Sequence, residues 1–412
     1  MWGVPAGPVL VGGAEWPAVA LWAAQDADRH GAELDPGTRR LPGCRRPVPA
    51  RSAATSRVLD VAEVGGRDGI PAVKASTRGP EPITAWTLES SFGIGNYRGR
   101  VMFEDRLEVH RVELTGYCYR MLACGAEAED AVQETLFRAW KNADRFDESK
   151  ACLRTWLHRI ATNVCLDMTR SVQRRALAMD LGPSSPAGGF LGAPLSAAAF
   201  VQPVPDRRVL SIDGDPAELA VQRETIRLAF VAALQHLPPR QRAVLILREV
   251  LCWSAEEVAG LLDTSPAAVN SALQRARATM SARPRPGGTG EVEEDLLGRY
   301  VQVFTAYDVD GLVALLHEDA TMSMPPFAWW LDGREAIRAA LLGAAGMCAD
   351  DRLVRTAANG SPAFGQYRDG QALGLVMLDV RDGLIAGTTT YLEPSLLALF
   401  GLPMNLEPPR RM

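Results

Sequence analysis

The residues best suited to recognition chemistry lie in two basic stretches. Trp253–Met280 reads WSAEEVAGLLDTSPAAVNSALQRARATM. If its second half is helical, Asn270, Ser271, Gln274, Arg275 and Arg277 face outward. Side-chain amides pair with adenine edges and guanidinium groups with guanine or phosphate, so this set suits the major groove of a duplex. Residues 266–285 carry four arginines and no acid, which separates the stretch from an ordinary helical hairpin. The second stretch, Arg154–Arg175, sets His158, Arg159, Thr162, Asn163 and Arg170 on faces away from an apolar stripe, and Arg174 and Arg175 follow. Basic and amide groups beside an aromatic suit single-stranded or distorted nucleic acid. The solvated face of a core helix accounts for that segment equally well, and Trp156 on its apolar stripe reads as core. His317, Glu318, Asp319 and Asp332 could serve as acid or base groups; acids at helix ends and turns of an acidic surface are the stronger reading.

The elements that position these residues follow from periodicity and capping. Ser254 and Glu257 form an S-x-x-E capping box, and Val258, Leu261 and Leu262 give the helix after it an apolar side. Asp263–Ser265 makes a turn, Ser265 can cap the next helix, and Pro266 suits its first position. Val269, Ala272, Leu273 and Ala276 then form the inner face of a second helix, and the pair predicts a helix-turn-helix. Upstream, Glu104–Ala123 reads as helical. Glu127–Asn142 reads as a helix whose apolar stripe is Val132, Leu136, Phe137 and Trp140, with Asp130, Gln133, Glu134, Arg138 and Lys141 elsewhere. Leu153, Trp156, Leu157, Ile160, Ala161 and Val164 follow the spacing of a third helix. Further helices are expected from Pro216 to about His236 and from Pro238–Pro239 to about Leu251.

Residues 291–412 form a different unit, with nine Lys/Arg against seventeen Asp/Glu, a local net of −8 within an overall −5. Two helices (about 291–307 and 310–317), an apolar run Ala320–Pro326 and a helix near Gly333–Leu342 lead into four strands, about 352–358, 362–368, 372–380 and 384–391. Asn359-Gly360, Asp369-Gly370 and Asp382-Gly383 separate the strands as hairpin turns. Helices followed by a strand meander predict an α+β fold with helices on one side of a curved sheet. Met322, Met324, Phe327, Trp329 and Trp330 line a cavity in that fold or belong to its core.

Seven dispersed cysteines without a C-x-x-C pair argue against a disulfide framework or a zinc site, and reduced thiols are expected. The sequence has no run suited to spanning a bilayer and no basic n-region of a signal peptide. The Gly/Pro/Ala/Arg-rich segment 1–101 reads as a disordered extension. Met102 precedes the first patterned helix, so a translation start there is an expectation that N-terminal mass measurement tests. The division is then 1–101 low-order extension, 102–178 first helical domain, 179–215 flexible linker, 216–282 helix-turn-helix domain, 283–290 linker and 291–405 α+β domain.

AEDAVQETLFRAW (Ala128–Trp140) with RTWLHRIATNVCLD (Arg154–Asp167) closely resembles region 2 of the extracytoplasmic-function sigma factors of RNA polymerase. LPPRQRAVLILREV (Leu237–Val250) with the following helix-turn-helix resembles their region 4, in the same order and across a similar linker. Residues 291–405 fit the subgroup with a SnoaL-like C-terminal domain, LLHEDATMSMPP (Leu315–Pro326) resembling that domain's strand entry. The resemblance implies two all-α sigma domains plus an α+β cone, no catalysis, no cofactor, and a cytoplasmic protein. Its partners would be core RNA polymerase and promoter DNA, with room for a small-molecule ligand in the cone; an anti-sigma partner and the promoter sequence are not given.

By position, Asp130, Gln133, Glu134 and Arg138 would dock on the polymerase clamp. The loop Phe146–Cys152 with Asn163 would capture a flipped base of the −10 element, and Arg154, Arg170, Arg174 and Arg175 would hold phosphates. Ser265, Asn270, Ser271, Gln274, Arg275 and Arg277 would bind the −35 element. The chain departs from the family at Asn270 and Ala272, where relatives often carry basic residues, and in DESKACL (Asp147–Leu153), which lacks the common glycine; both bear on which bases are read. The cone would act as a regulatory domain that contacts the linker or the DNA-binding domains. The competing class is a helix-turn-helix fused to a small cyclase- or isomerase-like enzyme, which predicts turnover and no polymerase binding.

Overall fold

The computed structural model describes residues 103–170, 175–189, 191–210, 216–281, 294–344 and 351–407. The expectations for 1–101, the Met102 start, Arg174 and the 283–290 linker fall outside these residues. The first domain is built on α1 (Arg111–Leu122), α2 (Gly125–Lys141) and α3 (Leu153–Met168). The buried side of α2 is Ala128, Ala131, Val132, Thr135, Leu136 and Ala139. That is the 3.6-residue period, and it corrects the expected stripe: Phe137 and Trp140 are 55% and 37% exposed and stack at 6.4 Å between ring centroids. On α3, His158 and Thr162 are fully buried rather than turned outward. Tyr117 of α1 explains the threonine, since its hydroxyl lies 2.7 Å from Thr162 Oγ1.

Downstream, α4 (Pro216–Ile226) and α5 (Leu228–Leu234) replace the single helix expected to His236. Arg227 breaks it by adopting extended backbone, φ −54° and ψ 143°. α6 (Pro239–Leu245) begins with proline at its first turn and passes into one π-helical turn, Ile246–Val250. α7 (Ala255–Leu261) and α8 (Pro266–Ser281) form the helix-turn-helix. Its capping box is complete: Glu257 N–H donates to Ser254 Oγ at 3.1 Å, and Ser254 N–H to Glu257 Oε2 at 2.8 Å. Ser265 caps α8 by accepting from Ala268 N–H at 3.2 Å.

The C-terminal unit places α9 (Glu294–Thr305), α10 (Val309–Ala314) and α11 (Arg334–Gly343) against one face of a six-stranded sheet. Its strands are β1 (Leu316–Ser323), β2 (Trp330–Asp332), β3 (Arg352–Ala358), β4 (Ser361–Arg368), β5 (Gln371–Arg381) and β6 (Leu384–Tyr391), in the order β2-β1-β6-β5-β4-β3. The meander β3–β6 matches the four expected strands, and β1 pairs parallel with β6. Strand β1 starts at Leu316, so His317 belongs to it and not to a helix end, and β2 has no counterpart in the sequence reading. At all three hairpins both turn residues have positive φ, for example 56° at Asn359 and 69° at Gly360, as tight two-residue turns require. Trp329 is core, with Met322, Met324 and Phe327 packed against the same cluster. The opposite sheet face packs on Leu396, Leu397 and Phe400 and on Leu228 of α5.

The segment expected to be a flexible linker is packed over much of 200–210, whereas its described residues from 181 to 199 are exposed or half-buried. Phe200, Val201 and Val204 are buried, and Val201 N–H donates to Ala176 O at 3.1 Å. Nearer its start, Trp330 Nε1 donates to Gly182 O at 3.0 Å, and Ser185 and Leu195 N–H groups bond to the carbonyls of Trp330 and Pro326. Apolar residues among the Gly and Ser provide the reason, since burying them offsets the ordering of the backbone. Cys118, Cys124, Cys152 and Cys165 are free thiols, whereas Cys252, against expectation, is disulfide-bonded.

Candidate nucleic-acid interface

The outer surface of the first domain is set by α2 and α3. Asp130, Gln133 and Arg138 are exposed and Glu134 half-exposed on the outer side of α2, beside the Phe137–Trp140 pair. Arg138 Nε donates to Glu134 Oε1 at 2.6 Å, an i,i+4 pair that orders this face. A cleft of about 310 Å³ opens between the C-terminal end of α2 and α3, lined by Arg138, Asn142, Arg145, Trp156, Ile160 and Asn163. Phe146 stacks on Trp156 with centroids 5.0 Å apart, so the loop expected to hold a flipped base does reach the cleft that contains Asn163. Sequence reasoning missed Asn142 and Arg145 and assigned Trp156 to the core. Trp156 is only half-buried, and its place two turns before Asn163 on the same side of α3 was the available signal.

The arginines divide into three environments. Arg170 is open, with 80% of its side chain exposed, in a loose 3.4 Å contact with Asp167. Arg154 is partly covered: its Nε donates to Glu113 Oε1 at 2.7 Å, and its guanidinium lies over the Trp253 ring at 5.3 Å. Arg175 is a correction. It is 3% exposed, donates to Leu122 O, and holds Glu127 through two bonds of 2.6 and 2.8 Å, so it braces the fold and presents nothing to a phosphate. A basic residue that faces open surface and one that turns inward to a half-buried carboxylate look alike in sequence.

On α8 the outward residues are as the helical period requires. Ser265, Asn270, Ser271, Gln274 and Arg275 are exposed, while Val269, Leu273, Ala276 and Met280 are buried. Arg275 donates to Ser271 Oγ at 2.8 Å, and Arg277 turns back to pair with Glu249 on the π turn. Asp263, with φ 51° in the turn, accepts from Arg159 of α3 at 2.7 Å through both carboxylate oxygens.

That contact is part of a wider interface between the two helical domains. Trp253 is 4% exposed and packs against His158 with centroids 5.1 Å apart. His158 Nδ1 lies 2.9 Å from Arg154 O, while its Nε2 has no hydrogen-bond partner and sits 3.7 Å from Glu113. Burial holds the His158 imidazole below its ordinary value, against the pull of Glu113. Arg120 and Arg242 cross the same interface without a carboxylate. Arg120 donates to Thr225 Oγ1 at 2.8 Å and to carbonyls of Gly116 and Thr225; Arg242 donates to Gln235 Oε1 at 2.6 Å and to Met121 O. Burial pushes each guanidinium down to about 10.

In the C-terminal unit the four candidate acid/base residues do not form a site. Asp319 and Glu318 side chains are 62% and 87% exposed, and Asp332 is exposed. His317 and Asp319 converge only on Arg381, a surface ion-pair cluster. Among the described residues no group of His, Cys, Asp and Glu could hold a metal ion, and no helix is long and apolar enough to cross a membrane.

Comparison with known families assigns each unit. Sigma-70 region 2 matches residues 107–175, Sigma-70 region 4 matches 227–280, and a SnoaL-like domain matches 297–387. The extracytoplasmic-function RNA polymerase sigma factor SigG of Mycobacterium tuberculosis is 43% identical over 317 residues, spanning 74% of this chain and 85% of that protein. SigJ of the same organism is 31% identical over 222 residues, 53% of this chain and 64% of that protein. A crystal structure of SigJ covers 73% of this chain and 99% of its own, with a TM-score of 0.49 and 23% identity. With these three matches in order and 43% identity to SigG across 85% of its length, the chain belongs to the extracytoplasmic-function sigma factors of RNA polymerase, as a member that carries a SnoaL-like domain at its C-terminal end.

Proposed function

We propose that this alternative sigma factor docks on core RNA polymerase through the exposed face of α2 and directs initiation by holding two promoter elements with its two helical domains. Asp130, Gln133, Glu134 and Arg138 supply the polar part of the docking face, and Phe137 with Trp140 the apolar part. Exposed aromatics rimmed by charge are the composition of a protein interface. The cleft beside Asn163 takes an unstacked −10 base, with Trp156 and Phe146 as stacking surfaces and Asn142 and Asn163 as hydrogen-bonding groups. Arg154 and Arg170 hold phosphates, and Ser265, Asn270, Ser271, Gln274 and Arg275 meet the −35 duplex. The open cleft lined by amides, guanidinium groups and an indole carries this reading. Promoter opening then needs no bond chemistry, because contacts made only with the flipped base offset its unstacking. The protein works where the polymerase does, in the cytoplasm, and the SnoaL-like domain is regulatory rather than enzymatic.

The test is co-purification with core polymerase followed by run-off transcription. Binding, and initiation that is lost in an Asn163→Ala, Trp156→Ala double variant, is expected. A chain that neither joins the polymerase nor starts a transcript defeats the proposal.

A further inference from the structure

The β3–β4 turn reaches into the place where both helical domains and their linker meet. Asn359 has no exposed surface. Its Oδ1 accepts from the N–H of Val204 in the linker at 2.9 Å. Its Nδ2 donates to the Tyr119 hydroxyl of α1 and to the carbonyl of Ile226, at the end of α4, both at 2.6 Å. Its backbone N–H adds a bond to Val204 O at 3.1 Å. The next residue continues the contact, Gly360 N–H donating to Asp206 Oδ1 at 2.8 Å. A Cβ at Gly360 would stand 2.9 Å from Arg223 O, and φ there is 69°, so only glycine lets the turn approach α4 so closely. Tyr119 in turn donates to Gln202 O of the linker at 2.8 Å. One side chain thus satisfies buried polar groups from three segments, α1, the linker and the end of α4.

We propose that Asn359 is a positioning residue that pins the two sigma domains and their linker into the closed arrangement, and that withdrawal of this turn is how the SnoaL-like domain releases them. This rests on the sigma-factor reading above. The −10 and −35 elements lie roughly 25 base pairs apart, on the order of 85 Å at 3.4 Å per step, so domains in contact through Trp253 and Asp263 must separate to hold both. A buried amide with three partners suits such a pin. While docked it is fully satisfied; displaced by a short distance it leaves several buried groups unpaired at once, so the arrangement is two-state rather than graded.

The experiment uses the full chain with donor and acceptor dyes attached through encoded reactive side chains at the exposed positions Asp105 and Ser281. Energy transfer is read in free protein, and holoenzyme formation at limiting core polymerase. Asn359→Ala is expected to raise the open fraction on the order of tenfold and to speed holoenzyme formation. Tyr119→Phe cuts the same contact from the helical side, leaves the sheet untouched, and is expected to act in the same direction. The control is Asp382→Ala in the β5–β6 turn, which has the same backbone, φ 53° and 75°, but whose glycine faces open space. Unchanged transfer in Asn359→Ala, or equal opening in Asp382→Ala, overturns the pin. Failure of every variant, and of the parent chain, to bind polymerase would instead defeat the sigma-factor reading.

Discussion

Arginine residues of this chain carry the same charge to three different ends, and substitution separates them. Arg275 lies exposed on α8, proposed above to meet the −35 duplex, so Arg275→Ala is expected to cost about 1–3 kcal/mol of promoter discrimination and to relax preference at one upstream position, read by binding of holoenzyme to single-base variants. Arg170 is open and meets no base in this scheme. Arg170→Ala should weaken all sequences alike and reduce the salt slope of binding by about 1, measured by titration across ionic strength. Arg175 is buried and its partner Glu127 half-buried, so removing the guanidinium leaves a partly covered carboxylate and the Leu122 carbonyl unpaired, at a cost of about 1–3 kcal/mol. Arg175→Ala is therefore expected to lower the unfolding midpoint of the first domain in a thermal or denaturant melt. If it instead altered only the salt slope, the buried pair would not exist in solution.

At the scale of elements, α3 and the loop before α7 form a contact whose strength depends on a neutral histidine. His158 is enclosed by Tyr117 and Trp253 and faces Glu113, Arg154 and His110. Burial depresses its ionisation below 6.5 in the closed form, while an opened form would return it toward that value. The closed contact is thus at full strength above about pH 6.5 and is lost as pH falls from there toward the depressed value, because the opened form binds the proton more readily. His158→Gln should flatten the fall in energy transfer between pH 7 and 5 without abolishing it; a parent chain with no such fall removes the histidine from the account. The Arg159–Asp263 pair beside it is 47% and 74% exposed, so Asp263→Ala should change the closed fraction by less than fivefold, within the roughly 0–1 kcal/mol of a surface pair.

At the scale of the molecule, an acidic domain is seated on a polar junction between two helical domains that are themselves close to neutral. Its sheet meets the sigma domains through Asn359, through Arg227 donating to Asp379 at 2.9 Å, and through Tyr391 donating to Val201 O at 2.7 Å. Deleting residues 291–412 removes all three contacts. The truncated chain is expected to keep polymerase binding and to change its promoter output, scored by run-off transcription over a range of polymerase concentration. The same output at every concentration would leave the domain without a regulatory part.

Much of this was legible from periodicity and turn chemistry alone. The capping box at Ser254, the cap at Ser265, the outward set on α8 and the four strands with their Asn-Gly and Asp-Gly turns are local, each depending on residues within a few positions of one another. The family followed from two such blocks in order. What the residue order could not show is which polar groups meet across long separations. His158 and Thr162 are buried because Tyr117 and Trp253 cover them, Phe137 and Trp140 are exposed because α2 turns its alanine side inward, and Arg175 is spent on Glu127. Asn359 announces a hairpin in the sequence, yet its partners Tyr119, Val204 and Ile226 lie as many as 240 positions away. Burial and hydrogen-bond pairing at that range depend on how whole domains dock, and docking is decided by the summed shape and charge of surfaces that no local pattern encodes.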